Sequence, residues 1–329
     1  MSSLLGHERN LELLRRYVIE NRPAHAFLFS GRQGIGKKKV ALEFARMINC
    51  DDFNDHNQPM LCNTCRRIMT GSHPDVHVLM PVKNGIRVDA IRSVISFLKY
   101  PPIEANFRLV IIDDAHLMNR SAQNALLKTL EEPPPNRIII LISSQPSSLL
   151  QTVRSRLRRI DFGPLNDDDL RTLLAEHKNL SEDEAQTALA MASGSIERAL
   201  SKSAPQNVQF RHKVISNLFQ KCANPYLGLL DLAFEAGSDK NRTDDLLDIA
   251  GTLLRDAIIT KLGGGASLIN GDYLELITRI GDVNTLDQLM SAYDQILSGV
   301  EQLDLDINLS KNLVLDVTFL KIESILHRA

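Results

Sequence analysis

The sequence contains two stretches whose residue types suit the holding of a polyphosphate. Gly31-Arg32-Gln33-Gly34-Ile35-Gly36-Lys37-Lys38 fits G-x-x-x-x-G-K, with the apolar run Ala26–Ser30 before it and an amphipathic stretch after it. In that pattern glycines let backbone N–H groups surround a phosphate at a helix N-terminus, and Lys37 reaches the terminal phosphates. The next position breaks the pattern. Lys38 stands where a Ser or Thr hydroxyl would hold Mg2+, and an ammonium cannot coordinate a cation. Farther on, the apolar run Leu109–Ile112 leads into Asp113-Asp114. A strand-end Asp can hold Mg2+ and the next acidic residue can orient an attacking water, although Asp114 is one methylene shorter than the Glu that suits this task. The acidic pair alone would read as the cap of a turn, and the glycines alone as a strand-to-helix turn. In this order they read as two halves of a phosphate site damaged at its metal ligand.

The elements around these residues alternate. Ala26–Ser30 is expected as a buried strand, followed by a helix from Lys37 to Asn49 with Val40, Ala41, Phe44, Ala45 and Ile48 on one face. Val76–Met80 is a further strand candidate, Val88–Lys99 a helix, and Leu109–Ile112 a strand. Ser121–Glu132 reads as a helix stopped by Pro133-Pro134-Pro135, which lack the N–H needed to continue it. Ile138–Ile142 is again fully apolar. Continuous apolar strands between helices indicate an α/β fold with a parallel sheet covered on both faces. After Gly163-Pro164 only helical periodicity is found. Leu165–Lys202 forms a small helical unit with Asp167–Asp169 at a helix N-terminus, Ser203–Asn207 a linker, and the rest a helical tail interrupted at Gly263-Gly264-Gly265.

The chain of 329 residues is long enough for two or three domains, and 11 of its 13 prolines precede residue 165, which marks a boundary there. The formal net charge of -2 conceals an asymmetry. Residues 1–164 hold 23 Lys+Arg against 15 Asp+Glu, whereas residues 165–329 hold 15 against 25, so the basic front half suits an anionic partner such as a nucleotide or a DNA backbone. Aromatics are only 5% and Trp is absent, which argues against a base-stacking platform for single strands. No apolar run approaches the ~20 residues of a membrane helix, so no membrane partner is expected. Four cysteines and an N-terminus without a signal-peptide layout suggest a reducing, cytoplasmic setting.

Ala125-Leu126-Leu127-Lys128-Thr129-Leu130-Glu131-Glu132-Pro133-Pro134, followed by Ser155-Arg156, resembles the clamp-loader subunits of the AAA+ class. The phosphate loop, acidic pair, leucine-rich motif and Ser-Arg element occur in that family's order over roughly residues 5–200. The damaged loop makes the chain similar to the delta-prime branch of the bacterial family rather than to the hydrolysing gamma/tau branch. The resemblance implies an AAA+ parallel-sheet nucleotide-binding domain over 1–164, a helical lid over 165–206 and an all-α collar over 207–329. It also implies roles. Arg156, with Ser155, would be a finger projected into a neighbouring subunit's ATP site, with Leu157 at the family's Cys position. Read alone, Arg154, Arg156, Arg158 and Arg159 form a solvated or DNA-facing basic run. Ser143 and Ser144 fall in the first sensor region, where Ser144 would contact the γ-phosphate. Glu197, in Gly194–Leu200, sits where hydrolysing relatives have Arg, so Lys38 and Glu197 both oppose hydrolysis.

The family also carries a zinc module after the phosphate-loop helix. Cys50, Cys62 and Cys65 match it within residues 50–65, Pro59 replaces one ligand, and His56 is the candidate substitute. The alternative is an eroded module of free thiols. Cys222 in the tail reads as a packed thiol. The expectation is therefore a non-hydrolysing, stator-like subunit of a replicative clamp loader, with zinc as its candidate metal and a loop that can hold ATP or ADP without turnover. Its partners would be gamma/tau-like and delta-like subunits, with the sliding clamp and primed DNA reached through the assembly. The competing readings are an active ATPase motor and a basic DNA-binding module.

Overall fold

A computed structural model describes residues 5–20, 22–50, 53, 62–82, 85–177, 180–192, 194–216, 240–264, 268–304 and 310–326. His56, Pro59, Cys222 and Gly265, singled out above, lie outside these residues. Contacts between Cα atoms divide the chain into two compact units, Met1–Leu165 and Asn166–Ala329.

In the first unit the apolar runs are strands. β1 (Ala26–Ser30), β2 (Val76–Leu79), β3 (Arg108–Ile112), β4 (Arg137–Ser143) and β5 (Arg158–Asp161) form one sheet in the order β2-β3-β4-β1-β5, and every pairing is parallel. The helices are α1 (Glu8–Ile19), α2 (Lys37–Asn49), α3 (Asn63–Met69), α4 (Val88–Lys99), α5 (Arg120–Glu131) and the single turn α6 (Gln151–Arg154). Side chains alternate across a strand, so the central strands serve two cores. Phe27, Phe29, Leu109, Ile111, Ile138 and Ile140 face one side with Leu14 of α1 and Val40 and Phe44 of α2. Leu28, Val110, Ile112, Ile139 and Leu141 face the other, against Ile91, Val94 and Leu98 of α4 and Leu126 and Leu130 of α5. This double burial is why the strands read as unbroken apolar runs.

Among the described strands and α-helices of the first unit, α1, α3, α6 and β5 were not read from the sequence. In β5 only Ile160 is buried, while Arg158, Arg159 and Asp161 are exposed. Its strand character comes from backbone pairing to β1, with Phe27 opposite Arg158 and Ser30 opposite Asp161.

At the start of the sheet, Asp75 is a fully buried anchor. Its carboxylate accepts from Arg108 Nε at 3.0 Å and Nη2 at 2.8 Å, and from the backbone N–H groups of Ile103, Glu104 and Ala105. Burial by itself pushes this carboxyl up, but the hydrogen bonds from Glu104, Ile103, Arg108 and Ala105 outweigh it and hold it below its ordinary value.

The second unit is helical among the described residues: α7 (Asp167–His177), α8 (Glu182–Ala190), α9 (Ile196–Lys202), α10 (Pro205–Ile215), α11 (Lys240–Lys261), α12 (Leu274–Val283), α13 (Leu286–Asp304) and α14 (Lys311–Ile325). Ser181 and Glu184 close a capping box at the start of α8. Leu246, Leu253, Ile277, Leu289, Leu315 and Phe319 share its core. Buried charges are matched there: Arg211 meets Asp272 at 2.7 Å, and Asp245 receives Arg198 at 3.2 Å and Lys202 at 2.7 Å.

Candidate phosphate site and arginine projection

The loop between β1 and α2 lies where the strands end. Gly31 donates to the Ser143 carbonyl at 3.2 Å, tying the loop to the end of β4. Gly31 must be glycine, because a Cβ there would come within 2.4 Å of the Phe162 carbonyl oxygen. Gly36, the residue before α2, has φ of 99°, a left-handed conformation that L side chains resist. Ile35 is buried in the core, and its carbonyl accepts from His7 Nε2 at 2.7 Å, so toward a phosphate it offers backbone only. Lys37 is buried at the head of α2 and donates from Nζ to the Gly31 carbonyl at 2.6 Å and to the Arg32 carbonyl.

Asp113 and Asp114 follow β3 at the same end of the sheet. Lys38 Nζ stands 3.5 Å from Asp113 Oδ2 and donates to Met80 Sδ at 3.0 Å. The spacing argument therefore brought the loop and the acidic pair to one place, with an ammonium against the aspartate. Asp114 adopts φ of 45° and its N–H donates to Asp113 Oδ1 at 3.1 Å. Burial pushes the Asp114 carboxyl up and the charge of Asp113 adds to it, while His116, Lys37 and Lys38 oppose.

His116 joins this cluster and was missed from the sequence. Its signal was the spacing Asp113-Asp114-Ala115-His116 behind a strand. Burial lowers its imidazole pKa, Asp114 works against that, and its Nε2 lies 3.5 Å from Ser144 Oγ. Ser144 thus faces the acidic cluster. Ser143 instead is fully buried, with its hydroxyl accepting from the Gln145 N–H at 3.1 Å.

Arg156 lies at the other end of the sheet. It precedes β5, whose Arg158 is level with Phe27 of β1. The loop begins four residues past Phe27, and at ~3.3 Å per strand residue this puts about 13 Å along the sheet between the level of Arg158 and the loop. The guanidinium is partly exposed, donates from Nη1 to the Thr152 carbonyl at 2.7 Å, and meets Glu131 Oε1 at 2.7 Å from Nη2. Ser155 Oγ donates to the same Thr152 carbonyl at 3.2 Å. Leu157 packs on the core face shared by Leu149 and Val153. In the second unit Glu197 is exposed on α9, and its neighbour Arg198 is committed to Asp245 and to Asp248, the latter at 2.6 Å.

Cys50 closes α2 and Cys62 caps α3, which carries Cys65. The sulfurs lie within 4.8 Å of one another, with Cys50–Cys62 at 3.7 Å and Cys62–Cys65 at 3.2 Å. A tetrahedral thiolate site with Zn–S of ~2.3 Å needs sulfurs nearly 4 Å apart, so three corners of such a site fit. Burial pushes the Cys65 thiol far up, and hydrogen bonds and repulsion from the other two thiols add to this. A bound cation reverses that preference. The cluster can hold a metal ion; His56, the fourth candidate, is outside the described residues.

No described helix is long and apolar enough to cross a membrane. The family model described as DNA polymerase III, delta subunit, matches residues 6–166, and that of its C-terminal part matches residues 205–324. DNA polymerase III subunit delta' of Bacillus subtilis (strain 168) is 28% identical over 304 residues, covering 91% of this chain and 92% of the relative. The Escherichia coli (strain K12) subunit delta' is 29% identical over 305 residues, covering 92% and 90%. Subunit tau of B. subtilis is 32% identical over 203 residues, but these span 60% of this chain and only 36% of tau. The likeness to these two delta' subunits runs nearly end to end in both partners. Two matching family models, this end-to-end likeness and a five-stranded parallel sheet with a phosphate loop after β1 all agree: the chain belongs to the delta-prime family of DNA polymerase III clamp-loader subunits, with the AAA+ fold.

Proposed function

We propose that this chain is the non-hydrolysing, stator-like subunit of a clamp loader, and that it presents Arg156 to the nucleotide site of a neighbouring ATPase subunit during loading of a sliding clamp on primed DNA. The observation that carries this reading is the position of Arg156 at the sheet end opposite its own phosphate loop. A finger so placed serves a second molecule. Its hold on Glu131 is half-exposed, and such a pair is worth about 0–1 kcal/mol, so release toward a γ-phosphate costs little. Lys38 at the metal position and Glu197 in place of a sensor arginine support the absence of turnover in cis. Residues 165–206 then act as the helical lid and 207–329 as the collar that meets gamma/tau-like and delta-like subunits. The purified chain is expected to turn over ATP at background rate, with or without Mg2+. Turnover comparable to an active ATPase subunit would overturn the reading in favour of a motor.

We further propose that Cys50, Cys62 and Cys65 hold structural zinc, with His56 as the candidate fourth ligand. About one zinc per chain is expected by elemental analysis of protein purified under reducing conditions, and Cys65→Ser should lose it. Full zinc content in the Cys65 variant would argue against these ligands.

A further inference from the structure

The phosphate loop holds an unusual pairing at the place where a divalent cation would be expected. Lys38 occupies the second position of α2, and its ammonium lies 3.5 Å from the carboxylate of Asp113. A magnesium ion takes oxygen ligands in near-octahedral geometry at about 2.0–2.1 Å. Lys38 supplies no oxygen, adds a like charge within a few ångströms of where the ion would sit, and pairs with the one strand-end carboxylate available to it. The residues present do not fit Mg2+.

They fit something else. An ammonium carries three N–H donors. Among the described residues one is donated to Met80 Sδ at 3.0 Å, while Asp113 Oδ2 is an ion-pair partner at 3.5 Å, which leaves donor capacity for a phosphate oxygen. Lys38 also neutralises Asp113, whose charge would otherwise repel a polyphosphate. These are two tasks that a divalent cation performs in such a loop: shielding the aspartate and contacting the phosphate chain.

Resting on the reading of this loop as a nucleotide site, we propose that the Lys38 ammonium is a tethered replacement for the divalent cation, so that the loop selects the metal-free nucleoside di- or triphosphate over its Mg2+ complex. The residue that removes metal-assisted hydrolysis thereby retains nucleotide binding.

The test is a titration of the full chain with fluorescent ADP and ATP in excess EDTA and in excess Mg2+. The wild type is expected to bind severalfold more tightly in EDTA than in Mg2+, since complexation withdraws the preferred species. Lys38→Thr should lose about tenfold in EDTA, the size of one charge-assisted hydrogen bond, and recover with Mg2+. Asp113→Asn should tighten binding in EDTA severalfold, because it releases Lys38 and removes a repelling charge; a metal-dependent loop would respond in the opposite direction in Mg2+. Wild-type binding equal or tighter in Mg2+, or a Lys38→Thr variant indistinguishable from wild type, overturns the proposal and leaves the nucleotide reading standing. No binding under either condition overturns both, while the role of Arg156 stays open to its own test.

Discussion

Arg156→Ala is expected to leave the chain folded and able to assemble, yet to lower ATP turnover at the neighbouring site it faces by about three orders of magnitude. A guanidinium that meets charge developing on the transferring phosphoryl group is worth ~10^3–10^5 in rate. Its contacts within this chain, to Thr152 and Glu131, are partly exposed, and surface changes of this kind stay within about 0.5 kcal/mol of stability. Arg156→Lys should fail nearly as badly, because an ammonium lacks the planar fork of donors. Single-site turnover in a reconstituted complex is the measurement, with nucleotide affinity followed in parallel. If Arg156 were instead a DNA contact, the variant would bind all DNA sequences more weakly, with a salt slope smaller by about one. Retained turnover with that change in slope would end the finger reading.

Asp75→Ala should produce the largest loss of stability, about 3–5 kcal/mol, because it leaves the buried Arg108 guanidinium unpaired. The same substitution strips acceptors from the backbone N–H groups of Ile103, Glu104 and Ala105. Thermal unfolding should then fall by about 10 °C, at the usual 2–4 °C per kcal/mol for a unit of this size. The pH dependence has a definite sign. The folded carboxyl is held below its unfolded value, so its contribution is complete above the unfolded carboxylate pKa near 3.9 and is lost as pH falls through the lower folded value. Wild type and variant should therefore converge in stability only in strong acid; a constant gap down to such pH would sink the assignment.

The sheet was legible where both faces of a strand are buried. β1, β3 and β4 show as continuous apolar runs because each feeds two cores. β5 was not, since Arg158, Arg159 and Asp161 point to solvent and backbone pairing carries no residue signature. The phosphate loop could be read from spacing alone because its chemistry requires glycines and a lysine at fixed offsets. What Lys38 meets could not, since Asp113 arrives from a strand that is not even adjacent to β1 in the sheet. His116 and the Glu131–Arg156 pair were hidden for the same reason: each depends on tertiary neighbours rather than on local pattern.

The loop from Gly31 to Gly36 is gripped on three sides. The end of β4 accepts from Gly31, Phe162 closes against the missing Gly31 side chain, and His7 holds the Ile35 carbonyl while its ring packs edge-on against Phe162. Fixing one backbone residue costs roughly 1–2 kcal/mol of conformational entropy, and here that cost falls on the folding of the first unit. A nucleotide arriving at this loop has little chain to order. If a nucleotide binds here as proposed, its binding should accordingly carry only a small entropic penalty from ordering the chain.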